Sequence, residues 1–182
     1  AKRSEAEEQF SAEMQALYPD IGFVQTGTDG QAAMDGADIL VTATSAQAPL
    51  LKAAWMRPGA FYNHVGGWED EYAVAKQCAK IVCDDWETVK HRTQTISRMY
   101  KDGELTDDDI YADLPDVVAG DKPGRETDDE MTYFNAVGLA YIDVAIALSM
   151  YNKAKDASIG QDLTLQEHMI FEHKELKDWL QR

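Results

Sequence analysis

The first half of the chain alternates short apolar runs with amphipathic stretches. After a first helix carrying Phe10, Met14 and Leu17 on one face, the pattern predicts strands over residues 21–24, 37–44, 59–65 and 80–84 and helices over 30–35, 49–55 and 70–77. The run 37–44 is apolar and β-branched, which is typical of a strand buried in a parallel sheet. Strand and helix alternating at short spacing predict right-handed βαβ units, so the fold class is α/β, a parallel sheet with flanking helices.

The second half is predominantly helical. Residues 86–100 fit one amphipathic helix, and Thr106 with the acidic residues behind it predicts the cap of a short helix. Residues 139–155 form a strong helical pattern whose first thirteen positions are apolar on nearly every side, so we expect this helix to be buried. A last amphipathic helix is predicted over 163–180.

Charge and composition exclude several classes of protein. The formal net charge is −16, whereas a general nucleic-acid binder carries a basic face, so nucleic acid is not an expected partner. No apolar run reaches the roughly 20 residues of a membrane span, so no membrane partner is expected. Cys78 and Cys83 are best interpreted as reduced thiols of a cytoplasmic protein. His168 and His173 lack the i, i+4 spacing of a helical zinc motif, and no metal site is predicted.

Small or polar residues follow three of the predicted strands, at 42–44, 63–67 and 134–138. Ligands of open parallel sheets bind beyond the carboxyl ends of the strands, so this arrangement favours a site. We expect Gly66 and Gly67 to let the chain turn tightly beside a cofactor, and the N–H groups after Gly138 to be free for anions. The alternative is an ordinary strand-to-helix turn.

The chain begins directly in a helical pattern, with Lys2, Arg3 and Ser4 at its start. Helices of α/β proteins usually follow a strand, so we expect further residues upstream. A basic residue where many dinucleotide folds carry an acid suits the extra phosphate of NADP rather than the ribose hydroxyls of NAD. A solvated helix start is the alternative interpretation.

Four segments together resemble the ornithine cyclodeaminase/mu-crystallin family: "KRSEAEEQF" (2–10), "GADILVTATSAQAPLL" (36–51), "MRPGAFYNHVGG" (56–67) and "VVAGDKPGRETDDEMTYFNAVGLAYIDVAIA" (117–147). The resemblance covers residues 2 to about 160. It implies a partial Rossmann-like domain over 1–138 that binds NAD or NADP, and a segment over 139–182 that returns to a substrate and dimerisation domain. By this resemblance, we expect the chain to correspond to the later part of a family member, without the N-terminal third that carries the first strand and the glycine-rich phosphate loop.

The resemblance also implies roles for particular residues. Those expected to contact the cofactor are Arg3, Ser4, Thr44, Asn63, His64, Val65, Gly66, Ala136 and Val137. Glu69 and Asp70 are the candidate catalytic acids, which could accept a proton or stabilise an iminium cation. Solvated acids opening the 70–77 helix are the alternative for both. By the same resemblance, residues 131–134 form a strand and the following helix starts near Val137.

The function that the resemblance implies is hydride transfer at the α-carbon of a small amino or imino acid. Cyclodeamination of ornithine, ketimine reduction and amino-acid dehydrogenation all belong to this chemistry. The expected assembly is a homodimer, or a complex in which a second chain supplies the N-terminal domain. A non-catalytic NADP(H)-binding or small-ligand-binding protein and an inactive fragment remain open alternatives.

Overall fold

The computed structural model describes residues 4–163. The helices are α1 (Ser4–Leu17), α2 (Gly30–Met34), α3 (Tyr72–Gln77), α4 (Trp86–Val89), α5 (Thr95–Lys101), α6 (Leu114–Ala119) and α7 (Ala140–Asp156), with 3-10 turns at Ala53–Trp55 and Asp107–Asp109. The strands are β1 (Ile39–Thr42), β2 (Gln47–Leu51), β3 (Phe61–His64), β4 (Trp68–Asp70), β5 (Lys80–Cys83), β6 (Ala112–Asp113) and β7 (Thr132–Asn135). The chain divides into two compact units between Leu139 and Ala140.

A parallel sheet is the centre of the first unit. Its five strands lie in the order β1-β3-β7-β5-β6, and β2 and β4 pair as a separate parallel ribbon. The order differs from the chain order because parallel neighbours need crossover connections. The predicted α/β class with a parallel sheet and flanking helices is confirmed.

The core lies on one face of this sheet. In both β3 and β7 every second residue is buried, which places Tyr62 and His64 beside Tyr133 and Asn135 on the same face. The two tyrosine rings meet edge to face, with centroids 5.0 Å apart. The sheet thus carries polar atoms into its own core, an arrangement that requires partners for them.

Strands β1, β3, β5 and β7 lie where the sequence predicts them, as does the capped 3-10 turn after Thr106. The strand predicted over 21–24 is wrong: its segment is irregular, and Ile21 and Val24 are exposed. A short β-branched run becomes a strand only beside a neighbouring strand that pairs with it. In the sheet described within residues 4–163, β1 is an edge strand, and residues 21–24 do not pair with it. Strand β6 and helix α6 were not predicted.

Three predicted helices differ from the structure. Residues 49–55 form the end of β2 and a 3-10 turn, because β2 pairs with β4. The 70–77 helix begins at Tyr72, since residues 68–70 belong to β4. Residues 86–100 form two helices, α4 and α5, instead of one. The break between them allows a contact from α5 to α4, in which the Ser97 hydroxyl donates to the Val89 carbonyl at 2.6 Å.

Helix α7 forms the regular part of the second unit. It begins at Ala140, three residues beyond Val137, and the expectation that it is buried is wrong, since none of its residues is buried. Composition favours the helix, but burial requires a covering surface, which no sequence pattern within the helix supplies. The predicted 163–180 helix, with His168 and His173, lies outside the described residues apart from its first position.

Candidate functional site

The three strand ends singled out from the sequence meet at one edge of the sheet. Strands β1, β3 and β7 are consecutive neighbours, and Thr42 pairs in register with His64, which pairs with Asn135. The segments that follow these residues therefore leave the sheet side by side, as predicted for a site at the carboxyl ends of parallel strands.

A buried carboxylate joins two of these ends. Glu69 accepts hydrogen bonds from the backbone N–H of Thr44 at 2.5 Å, after β1, and of Gly66 at 2.8 Å, after β3. A Cβ on Gly66 would lie 2.3 Å from Oε1 of Glu69, whereas one on Gly67 would approach nothing closer than 3.4 Å. The glycine at position 66 therefore makes room for an acid of the same chain, and the expectation that it turns beside a cofactor stays a prediction.

The state of Glu69 follows from its hydrogen bonds. Its side chain is fully buried, and burial alone would raise its pKa. Hydrogen bonds from Thr44, Thr42 and the Gly66 N–H act in the opposite direction, and the pKa lies below its ordinary value. Glu69 is therefore an ionised acid held inside the protein, which excludes the alternative of a solvated acid at a helix start.

Asp70 is equally buried, and its hydrogen-bond donors are side-chain hydroxyls. It accepts hydrogen bonds from the Thr95 hydroxyl at 2.6 Å and from the phenols of Tyr62 and Tyr133 at 3.2 to 3.3 Å. Burial raises the pKa of Asp70 to about 6, while the charge of His64 and the three hydroxyl donors lower it. The pKa values of the two adjacent acids are thus shifted in opposite directions, and Asp70 is mostly ionised only above about pH 6.

A chain of side-chain amides orients His64. Nδ1 of its imidazole lies 2.7 Å from Oδ1 of Asn135, and Nδ2 of Asn135 donates to Oε1 of Gln94 at 2.8 Å. Nε2 of Gln94 donates to the carbonyls of Val65 and Ala136, at the ends of β3 and β7. This amide chain therefore joins the second and third strand ends, as Glu69 joins the first and second.

The N–H groups near the end of β7 also have an internal partner. Oδ2 of Asp84, which follows β5, accepts from the N–H groups of Val137 and Gly138 at 2.8 Å each. The N–H groups of Val137 and Gly138 are therefore occupied within the chain, and the expectation that those after Gly138 are free for anions stays a prediction. A carboxylate of the chain takes the place that an anionic ligand would take.

The remaining predicted site residues divide by position. Val65 and Thr44 are exposed at the shared edge, and Ala136 and Val137 are half-buried there. Asn63 is half-buried in β3, while Ser4 is exposed at the start of α1. Arg3 lies outside the described residues. The structure thus brings the predicted residues from 44 to 137 together around one edge.

Sequence reasoning missed Asp84, Gln94, Thr95 and the pairing of Asn135 with His64. One signal was available: His64 and Asn135 follow Tyr62 and Tyr133 at the strand period of two, so each polar residue falls on the same face as a tyrosine of its strand. A polar residue in a buried strand needs a partner, and two such strands predict that they partner each other.

Three proteins illustrate what the chain is similar to. It is 31% identical over 162 residues, 89% of its length and 48% of the relative's, to N-((2S)-2-amino-2-carboxyethyl)-L-glutamate dehydrogenase of Staphylococcus aureus. The structure of Thermococcus litoralis Delta(1)-pyrroline-2-carboxylate reductase in complex with NADH and L-proline matches with a TM-score of 0.79 and 32% identity, over 86% of this chain and 49% of that one. An archaeal alanine dehydrogenase dimer with bound NAD matches with a TM-score of 0.75 and 31% identity, over 87% and 50% of the two chains.

The chain spans about half the length of the relatives that it matches. Within residues 4–163, none of the helices combines the length and the apolar character that a membrane crossing requires. The model of the ornithine cyclodeaminase/mu-crystallin family matches residues 1–158, and this chain therefore belongs to that family.

Proposed function

We propose that the chain is part of an NAD(P)-dependent oxidoreductase that interconverts a small imino acid and the corresponding amino acid. The observation that supports this most directly is the shared edge at which the ends of β1, β3 and β7 lie side by side. When bound there, a nicotinamide cofactor would supply the hydride for the α-carbon. Two similar structures contain NADH or NAD at comparable coverage, which supports the cofactor class.

The residues at this edge fit the uncharged ring of such a cofactor better than its phosphates. The N–H groups of Thr44 and Gly66 donate to Glu69, and those after β7 donate to Asp84, so these donors are taken. Anion binding relies on free donors of this kind. What the edge offers instead is a small apolar platform, formed by the exposed Val65 together with Ala136 and Val137.

We propose that Glu69 and Asp70 act from behind this platform. Both side chains have no exposed surface, so direct contact with a substrate is not the role that this geometry favours. Glu69 would position the strand ends through the N–H groups that it binds. The negative charge of the pair would favour the cationic partner in the reaction, an iminium or oxidised nicotinamide group, through the low-dielectric interior.

We further propose that the reaction is reduction or dehydrogenation rather than cyclodeamination of ornithine. The three similar proteins described above carry the names of dehydrogenases and a reductase. Whether NADP is accepted depends on the region of Arg3 and Ser4, where the basic side chain would meet the extra phosphate.

The whole protein would act as a homodimer or together with a second chain that supplies the remaining domain. Helix α7 supports this, because its residues Tyr141, Val144, Leu148 and Met150 are each more than half exposed. Apolar surface of this kind is typical of an interface. The free thiols Cys78 and Cys83 are consistent with the cytoplasmic location that we propose.

The experiment starts from the intact mass of the purified protein and of any chain that copurifies. The same preparation is titrated with NADH and NADPH by quenching of tryptophan fluorescence and then assayed for cofactor oxidation with Δ1-pyrroline-2-carboxylate and with pyruvate plus ammonia. Binding followed by turnover supports the enzyme, and binding without turnover indicates a ligand-binding protein. Absence of binding by the complete preparation would refute the proposal.

A pair of variants locates the binding edge. Val65→Glu places a carboxylate on the platform, where it should repel the anionic cofactor and weaken binding by about tenfold or more, equivalent to about 1.4 kcal/mol. Val118→Glu is the matched control, since Val118 lies on α6 and is also exposed. Equal affinities of the two variants for NADH would place the cofactor elsewhere.

A further inference from the structure

The fully buried group His64, Glu69 and Asp70 holds two acids around one imidazole. Nε2 of His64 lies 3.5 Å from Oε2 of Glu69 and 3.6 Å from Oδ1 of Asp70, and all three side chains have no exposed surface. Among residues 4–163, no group of three or more His, Cys, Asp or Glu side chains is arranged to hold a metal ion. Among the basic side chains of residues 4–163, His64 is the one that lies within ion-pair distance of Glu69 and of Asp70.

Hydrogen bonds determine where the first imidazole proton lies. Backbone carbonyls only accept, so the Gln94 amide must direct Nε2 to the carbonyls of Val65 and Ala136 and leave Oε1 for Asn135. Asn135 must then donate through Nδ2, which leaves its Oδ1 facing the imidazole. An amide oxygen cannot donate, so Nδ1 of His64 carries a proton.

The second imidazole nitrogen, Nε2, faces two carboxyl groups. Nε2 of His64 has no hydrogen-bond partner within the described residues, and it lies within 3.6 Å of an oxygen of Glu69 and of Asp70. Without a proton, Nε2 would direct a lone pair at two buried acids that have no neutralising charge. With a proton, the ring is a cation between them. The other titratable groups around the ring are the phenols of Tyr62 and Tyr133, with centroids 5.9 Å away, whose raised pKa keeps them neutral.

We infer that His64 is a positioning residue that acts as a buried imidazolium: its charge stabilises the two carboxylates opposite it, including that of Glu69 on the N–H groups of Thr44 and Gly66, and its Nδ1–H continues through Asn135 and Gln94 to the ends of β3 and β7. The Nδ1 proton thereby joins the ends of β3 and β7, and the charge gained at Nε2 stabilises the carboxylate that joins the ends of β1 and β3. The consequence for cofactor binding rests on the proposed function, whereas the protonation state of His64 does not.

The direct test is long-range proton–nitrogen NMR of the full chain labelled with 15N-histidine. The chain has four histidines, and His64→Gln identifies the signal of interest by its loss. We expect the two ring nitrogens of His64 to show the nearly equal shifts of an imidazolium at neutral pH. A neutral ring, with the proton on either nitrogen alone, would overturn the inference whether or not NADH binds.

The second test asks whether charge or shape is responsible. His64→Gln leaves two acids without a counter-charge and should weaken NADH binding by about tenfold or more. His64→Gln combined with Asp70→Asn removes one charge of each sign and should recover most of the affinity for NADH. If the single variant does not fold, the double variant should fold and bind NADH. His91→Gln is the control, because His91 is exposed. A double variant no better than the single one would show that shape, not charge, is what His64 contributes.

Discussion

The adjacent glycines after β3 offer a sharp comparison, because only one of them faces Glu69. In Gly66→Ala the new methyl group would lie 2.3 to 2.6 Å from the three carboxyl atoms of Glu69, closer than any real contact. The carboxylate must therefore leave the N–H groups of Thr44 and Gly66. Hydrogen bonds to a charged group contribute about 1.5–3 kcal/mol each, so we expect a loss of about 3 kcal/mol or more in the free energy of unfolding.

Gly67→Ala is the matched control. Its Cβ would meet the carbonyl oxygen of Ala46 at 3.4 Å, and neither glycine has a positive φ, so alanine fits both backbones. The reduced entropy of the unfolded chain should leave this variant unchanged or more stable by about 0.5 kcal/mol. Urea unfolding followed by tryptophan fluorescence measures both variants.

A double-mutant cycle with Glu69→Ala isolates the contact. Without the carboxylate the methyl group has space, so the loss caused by Gly66→Ala should fall below about 1 kcal/mol in this background. Two results would refute the explanation: equal effects of alanine at positions 66 and 67, or an undiminished effect of Gly66→Ala when Glu69 is absent.

Three further predictions concern other buried charges. The pKa of Asp70 is raised from 3.8 to about 6, so its contribution to stability is complete below pH 3.8 and is lost as pH rises through 6. In urea unfolding, the wild type should therefore lose about 3 kcal/mol of unfolding free energy across this window relative to Asp70→Asn. Parallel pH profiles of the two proteins would contradict this. Asp84→Ala should lower the free energy of unfolding by about 2 kcal/mol and speed hydrogen exchange of the Val137 and Gly138 amides after β7. Unchanged exchange of these two amides would contradict this. Lys80→Met removes an ammonium group bound to Glu126 on a side chain that is nearly buried, and it should lower the free energy of unfolding by more than Lys76→Met, which affects a half-exposed pair. Equal effects of the two variants in urea unfolding would contradict this.

Local pattern was sufficient for much of the fold. The apolar runs that became β1, β3 and β5 are recognisable because strand propensity and burial depend on residues that are adjacent in sequence. Because parallel strands present their carboxyl ends at one edge of a sheet, the sequence also predicts that three segments lie together there. The family motifs indicate the same strand ends, and the family itself is confirmed by the match over residues 1–158.

The predictions that were wrong concern segments whose secondary structure depends on pairing with a segment distant in sequence. Residues 68–70 have the composition of a helix start, but pairing with β2 makes them a strand and buries both acids. Residues 49–51 were expected in a helix, and the same pairing makes them a strand. The irregular 21–24 segment shows the converse, because a strand-like sequence without a neighbouring strand in the described sheet remains irregular.

By itself, therefore, the sequence determined the α/β class, most of the parallel strands and the edge at which they end. Only the tertiary structure decided what the residues at that edge do, because their contacts join distant positions: Glu69 binds a backbone N–H 25 positions away, and His64 pairs with an amide 71 positions away. Gly66 shows the difference most clearly. Its lack of a side chain can be read from the sequence, but the reason is the carboxylate that folding brings to within 3 Å of where a Cβ would stand.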